Sequence, residues 1–381
     1  MTGHSEPAGI PLPPVLPPLP AQDKWPWIHD CQVGWYPDPL LDVPESGIPS
    51  IPKGFTQPIV VEVCITYGQA GGNYSGSLEV VSAASGSLFS VPVKMEVWDI
   101  DLPLLNDSNA FNTAFNFNSD MSAWYPKGTP SATMWDDWLP FLAHFRIPGD
   151  SIYLADPRPL AEDTALADTG AKWMGMLDVI DFCQSDCPVN GTVPPNYAEG
   201  VIKMLEPTMS GLQKLGLNKS YVYGFDEMPE EYNQSVYDIF GPLKKKWPEL
   251  TTMAVLDWET FPSDLPVDNW VDEYADYGSS SSYMLPTAKE KLRQKWLASS
   301  DAHQLWWYWC IVPSSPTAIN TFVERPAIEG RLLYWLTALH AVNGMLYYDV
   351  AIWSSSCPTQ RACKPVGRVN NAGLTDFNPA T

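Results

Sequence analysis

Tyr221-Val222-Tyr223-Gly224-Phe225-Asp226-Glu227-Met228-Pro229-Glu230-Glu231 reads as a short apolar and aromatic strand that ends on two acids and opens into a helix. The same alternation repeats on both sides of it. Strands are expected at Phe111–Phe117, Ser151–Leu154, Met176–Phe182 and Ser220–Phe225, then at Thr252–Leu256, Val271–Tyr274, Gln304–Ile311 and Gly344–Ala351. Helical stretches intervene at Ala132–Phe145, Tyr197–Leu215, Glu230–Lys246, Ala288–Ser299 and Ile328–Val342. Strands that alternate with helices predict an α/β fold of the (β/α)8 TIM-like barrel type, and about 250 residues is the usual size of one. An open doubly wound sheet is the competing arrangement, but no Gly-rich phosphate turn follows the first strand.

Upstream the period changes. Pro58–Ile65, Tyr74–Val81 and Val91–Trp98 are short alternating runs, separated by turns at Gly71-Gly72-Asn73 and Ser85-Gly86-Ser87. Such spacing predicts a small antiparallel β-sandwich. Pro92 in the last run marks an edge strand or a bulge. The expected organisation is a Pro-rich disordered lead over residues 1–34, the sandwich over 35–105, and the barrel over 106–381. No closing eighth helix is visible in Ser354–Thr381, which is rich in Ser, Cys, Pro and Asn. Either the barrel closes irregularly or the sequence stops early.

Composition narrows the function. Lys and Arg total 22 against 44 Asp and Glu, a net charge of −22 that argues against nucleic acid or an anionic membrane surface as partner. No apolar run approaches the ~18 residues of a membrane span. Seventeen Trp and 17 Tyr are a mild hint of carbohydrate, because flat rings stack on sugar C–H faces; most are expected in the core. Of the seven cysteines, Cys183 with Cys187 and Cys357 with Cys363 are near pairs suited to loop disulfides. Metal is the competing reading, disfavoured by the spacing and by the lack of a nearby His; no metal and no cofactor is expected. Acceptor motifs for N-glycans begin at Asn73, Asn106, Asn190, Asn218 and Asn233. They favour a secreted or endolysosomal glycoprotein whose signal peptide is missing here; otherwise the protein is cytoplasmic.

In a barrel the active site forms where strands exit at their C-terminal ends. Asp226-Glu227 stands at such an end, as do Asp257-Trp258-Glu259, the run Trp306-Trp307-Tyr308-Trp309, and Tyr347-Tyr348-Asp349 with Trp353 beyond. Acids and aromatics on one rim are a glycosidase-like constellation, with carboxyl groups for proton transfer and aromatic walls for the sugar. Asp226 and Glu227 diverge as neighbours, so one can protonate a departing oxygen while the other holds a second substrate group. The competing reading is that they only stabilise the N-terminus of the next helix. Trp258, Glu259, Trp307, Tyr308, Tyr348 and Trp353 are the expected substrate contacts. No Gly-x-Ser-x-Gly elbow and no His-Glu-x-x-His cluster occurs.

Tyr223-Gly224-Phe225-Asp226-Glu227-Met228-Pro229 resembles the catalytic strand of glycoside hydrolase family 123. Tyr36-Pro37-Asp38-Pro39-Leu40, Gln57 to Val63, Gly72-Asn73-Tyr74-Ser75-Gly76, Arg331-Leu332-Leu333-Tyr334-Trp335 and Asn343 to Tyr348 are similar to further family motifs, in order. The resemblance implies a β-N-acetylgalactosaminidase with a sandwich and a barrel. It implies substrate-assisted catalysis, in which the sugar's own 2-acetamido oxygen attacks the anomeric carbon to give an oxazolinium ion, with net retention. Glu227 would be the general acid/base and Asp226 would orient the acetamide. Two other readings stay open: a carbohydrate-binding barrel without turnover, and an ordinary glycosidase using Asp257 or Glu259 as nucleophile. The expected partner is a carbohydrate substrate, a glycan or a glycolipid.

Overall fold

The computed structural model describes residues 57–107, 110–117, 129–171, 173–179, 193–217, 219–228, 232–256, 264–273, 294–309 and 326–348, with isolated positions besides. It contains a two-stranded antiparallel sheet and a nearly closed sheet of seven parallel strands. The expected tail without a helix, at 354–381, and the two cysteine pairs lie outside the described residues.

Strands β1 (Gly72–Ser82) and β2 (Gly86–Val97) form the small sheet, reversing through a turn in which Gly86 takes φ 77°. Their register opposes Tyr74 to Met95, Leu78 to Val91 and Val80 to Phe89 on one face. Asn73 opposes Glu96, Ser75 opposes Lys94 and Glu79 opposes Ser90 on the other. This is the period-two pattern of a sheet with one apolar side. Among the described residues it is a single sheet, with no second sheet of a sandwich packed on it. Residues 58–65 carry strand-forming side chains yet join no ladder there, since β propensity describes a fit to a paired surface and cannot supply the partner. Pro92 lies opposite Ser77, in a pair where each strand is an edge; the bulge falls at Val80/Val81.

The barrel strands are β3 (Asn112–Phe115), β4 (Met174–Asp178), β5 (Ser220–Gly224), β6 (Thr251–Val255), β7 (Asn269–Glu273), β8 (Gln304–Trp309) and β9 (Gly344–Tyr347). Their order is β3-β9-β8-β7-β6-β5-β4, so the first strand pairs with the last, as closure requires. Helices α1 (Ser131–His144), α2 (Leu160–Asp168), α3 (Tyr197–Lys214), α4 (Asn233–Lys246) and α5 (Ile328–Leu339) connect them. In α3, Ala198, Val201, Leu205, Met209 and Leu212 recur every three or four residues and are buried together.

The gap between β3 and β4 is where the sequence predicts a strand at Ser151–Leu154. That stretch is not a regular strand, although it bonds both edges: Phe117 N–H donates to Asp150 O (2.7 Å) and Asp178 N–H to Leu154 O (2.8 Å). The irregularity has a local cause. The Asp150 carboxylate accepts from the N–H groups of Ser151 and Gly175, each at 2.8 Å, taking donors that a neighbouring strand would otherwise use.

Parallel strands covered by helices are buried on both faces, and here alternate residues serve the two layers. Tyr221, Tyr223, Met253, Val255, Val271, Trp306, Tyr308 and Leu346 fill the interior. Val222, Ala254, Trp270, Leu305, Trp307 and Trp309 face outward, onto the layer shared with α3, α4 and α5. The largest interior ring, Trp306, fits because its register partner is Gly344, where a Cβ would come within 2.3 Å of the indole.

Candidate functional site

β5 stops at Gly224, and the next three residues make two abrupt reversals. Phe225 has φ 58° and Glu227 φ 52°, both left-handed for residues that carry a Cβ. Such conformations cost on the order of 1 kcal/mol or more each and persist where surrounding structure imposes them. The anchor is Phe225, which is buried and packs edge-on against Phe240 of α4 at 5.3 Å. Asp226 is thereby left half-buried and Glu227 exposed, both at the C-terminal end of the barrel.

Two phenols from different sides of the mouth take one acid each. The Tyr153 hydroxyl donates to Asp226 Oδ2 at 2.6 Å, from the irregular stretch between β3 and β4. The Tyr308 hydroxyl donates to Glu227 Oε1 from β8. Tyr153 is held by edge-on contacts to Tyr223 (5.6 Å, 85°) and Tyr348 (5.6 Å, 87°). Burial first, then the Asp226 carboxylate, pushes the Tyr153 phenol well above its ordinary value. Tyr223, fully enclosed beneath it, is raised by the same two causes in the same order. Both phenols therefore stay protonated throughout any working pH range, and Tyr153 remains a donor.

A third acid completes the rim. Asp178 ends β4 and is 2% exposed, and its charge contributes to the raised phenols of Tyr153, Tyr223 and Tyr197. Tyr197, at the start of α3, donates to Val179 O at 2.7 Å and so ties that helix to the end of β4.

Of the residues expected at the site, Asp226, Glu227, Tyr308 and Tyr348 come together at the mouth. Trp307 does not: it is fully buried on the outer face of β8, tilted against His340 at 6.0 Å. Neighbours on a strand point to opposite sides, so if Tyr308 faces the acids then Trp307 must face the helices. Trp258, Glu259 and Trp353 lie outside the described residues. Tyr153 and Asp178 are brought to the site without having been expected there. Each lies inside an anticipated strand, Ser151–Leu154 or Met176–Phe182, and so escapes a reading of strand ends; β4 in fact stops at Asp178.

The arrangement offers an exposed carboxyl group able to exchange a proton with a bound molecule, beside a half-buried carboxylate whose orientation is fixed from below. No nucleophilic Ser or Cys stands with a base beside it among these residues.

Residues 188–371 match the family model for glycoside hydrolase 123, catalytic domain. Among solved structures, the chain is similar to a family 123 glycoside hydrolase from Clostridium perfringens studied for glycolipid glycan hydrolysis. Identity is 14% and the TM-score 0.49, over 73% of this chain and 56% of that one. It is also similar to a family 39 glycoside hydrolase from the gut symbiont Bacteroides cellulosilyticus, with 12% identity and a TM-score of 0.39 over 77% and 66% of the two chains. This chain thus spans just over half the length of the Clostridium enzyme. No curated protein sequence matches it.

Proposed function

This chain carries the catalytic domain of glycoside hydrolase family 123 over residues 188–371, and from that premise we propose that it is a glycosidase that removes β-linked N-acetylgalactosamine, or a closely related N-acetylhexosamine, with retention of configuration. Glu227 acts as the general acid that protonates the departing oxygen and afterwards as the base that deprotonates water. Asp226 accepts the N–H of the substrate's 2-acetamido group and turns the acetamide oxygen toward the anomeric carbon. That oxygen forms the new C–O bond as the glycosidic bond breaks, and the oxazolinium ion so produced is opened by water.

The observation that carries this reading is the pair of left-handed residues around Asp226. They set two consecutive carboxylates at one barrel mouth, and a separate phenol holds each of them. A glycosidase with a carboxylate nucleophile places its two acids ~5 Å apart across the sugar. Where the substrate supplies the nucleophile, two neighbours on one strand end suffice.

The carbohydrate is thus the proposed partner, and no helix among the described residues is long and apolar enough to cross a membrane. Of the five glycan-acceptor motifs, those at Asn73 and Asn106 have exposed asparagines, which supports a secreted or endolysosomal setting.

The test is hydrolysis of a chromogenic N-acetyl-β-galactosaminide with and without a thiazoline analogue of the acetamido sugar, which mimics the bicyclic intermediate. Turnover is expected, with competitive inhibition by an analogue binding at least about a hundredfold more tightly than substrate. Turnover insensitive to the thiazoline would point to an enzymatic nucleophile. Binding without turnover by the folded protein would leave a carbohydrate-binding barrel.

A further inference from the structure

We propose that Tyr153 is the positioning residue of the acid pair: its hydroxyl fixes the rotation of the Asp226 carboxylate before substrate arrives. The inference rests on the reading of Asp226 as the group that orients the acetamide, and it goes beyond that reading by assigning a role outside the Asp-Glu motif.

Three observations carry it. At 2.6 Å the bond from Tyr153 to Asp226 Oδ2 lies in the range of a charge-assisted O–H···O⁻ contact. The phenol itself has little freedom, being set edge-on between the rings of Tyr223 and Tyr348. Its backbone belongs to the stretch that bridges the two edges of the sheet, with Asp150 O bonded on one side and Leu154 O on the other. The donor is therefore tied to the barrel wall, while its acceptor stands on a short turn between two left-handed residues.

A group placed this way need not touch the sugar. It acts by sparing the substrate the cost of orienting the carboxylate.

The experiment compares Tyr153→Phe, Asp226→Asn and the double variant with the wild-type chain, using a chromogenic N-acetyl-β-galactosaminide between pH 4 and 9. Phenylalanine keeps both ring contacts, and thermal melts verify the fold. For Tyr153→Phe, kcat should fall about ten- to a hundredfold with little change in KM, the loss expected for one hydrogen bond to a charged group. The acid limb of kcat/KM should move to higher pH, because the ionised carboxylate has lost a donor. In the Asp226→Asn background the same change should cost almost nothing further. A Tyr153→Phe enzyme with wild-type kcat and acid limb, alongside a crippled Asp226→Asn, overturns the inference and leaves the function standing. An equal loss in both backgrounds also overturns it, since that marks a structural role. Undiminished turnover by Asp226→Asn would remove the underlying reading as well.

Discussion

Glu227→Gln is expected to leave a folded protein whose kcat on a β-N-acetylgalactosaminide has dropped about a thousandfold. A positioned general acid typically contributes 10²–10⁴ in rate, and glutamine has no acidic proton to give. The amide oxygen can still accept from Tyr308, so the local contact and the melting temperature should survive. Leaving-group dependence sharpens the test. An aglycone with a low pKa departs without help, so the deficit should shrink for a nitrophenyl leaving group and widen for an alkyl one. A uniform loss across leaving groups would instead place Glu227 in binding. Full activity would remove it from the chemistry altogether.

The second large effect lies in the barrel wall between β3 and β4. Arg158 is buried between two buried acids, with Nη1 2.8 Å from Asp150 Oδ1 and Nε 3.1 Å from Asp163 Oδ1, and it also donates to Gly175 O. Burial pushes the Asp163 carboxyl up even against the pull of Arg158. Arg158→Met should therefore cost about 3–5 kcal/mol, because two carboxylates would be left enclosed without their cation. The loss should reach the barrel seam, since Asp150 also accepts from Gly175 N and from the Tyr221 hydroxyl, both at 2.8 Å. Urea unfolding measures the first effect. Faster hydrogen exchange at the Gly175 amide measures the second. A change below about 1 kcal/mol would show that water reaches the cluster and that its charges are solvated.

Much of this architecture is legible in the sequence because parallel strands and their helices differ in length and period. β5, β6 and β8 begin within a residue of the expected positions, and α3 and α4 carry their apolar faces openly. What stays hidden is information that only tertiary contact supplies. Ser151-Ile152-Tyr153-Leu154 has strand-like side chains, but whether its N–H groups meet a neighbouring strand or a carboxylate depends on Asp150 being buried beside Gly175. α2, Leu-Ala-Glu-Asp-Thr-Ala-Leu-Ala-Asp, is short and weakly amphipathic, and its only deep anchors are Leu166 and the ion-paired Asp163.

The site divides in the same way. Asp226 and Glu227 announce themselves as acids after an apolar strand, whereas Trp307 and Tyr308 are both plausible walls until the phase of β8 is known. One step of that phase turns a sugar platform into a core residue. The sandwich expectation counts 58–65 as a strand beside the two that do pair, and propensity is silent about which strand would pair with it.

The most direct test of substrate-assisted cleavage by the Asp226–Glu227 pair is to follow hydrolysis of a β-N-acetylgalactosaminide by proton NMR from the first turnovers. The β-anomer of free N-acetylgalactosamine should appear first and only later mutarotate, with no turnover of the matching 2-hydroxy galactoside, which has no acetamide to attack with. Initial release of the α-anomer, or comparable cleavage of the 2-hydroxy sugar, would contradict the account.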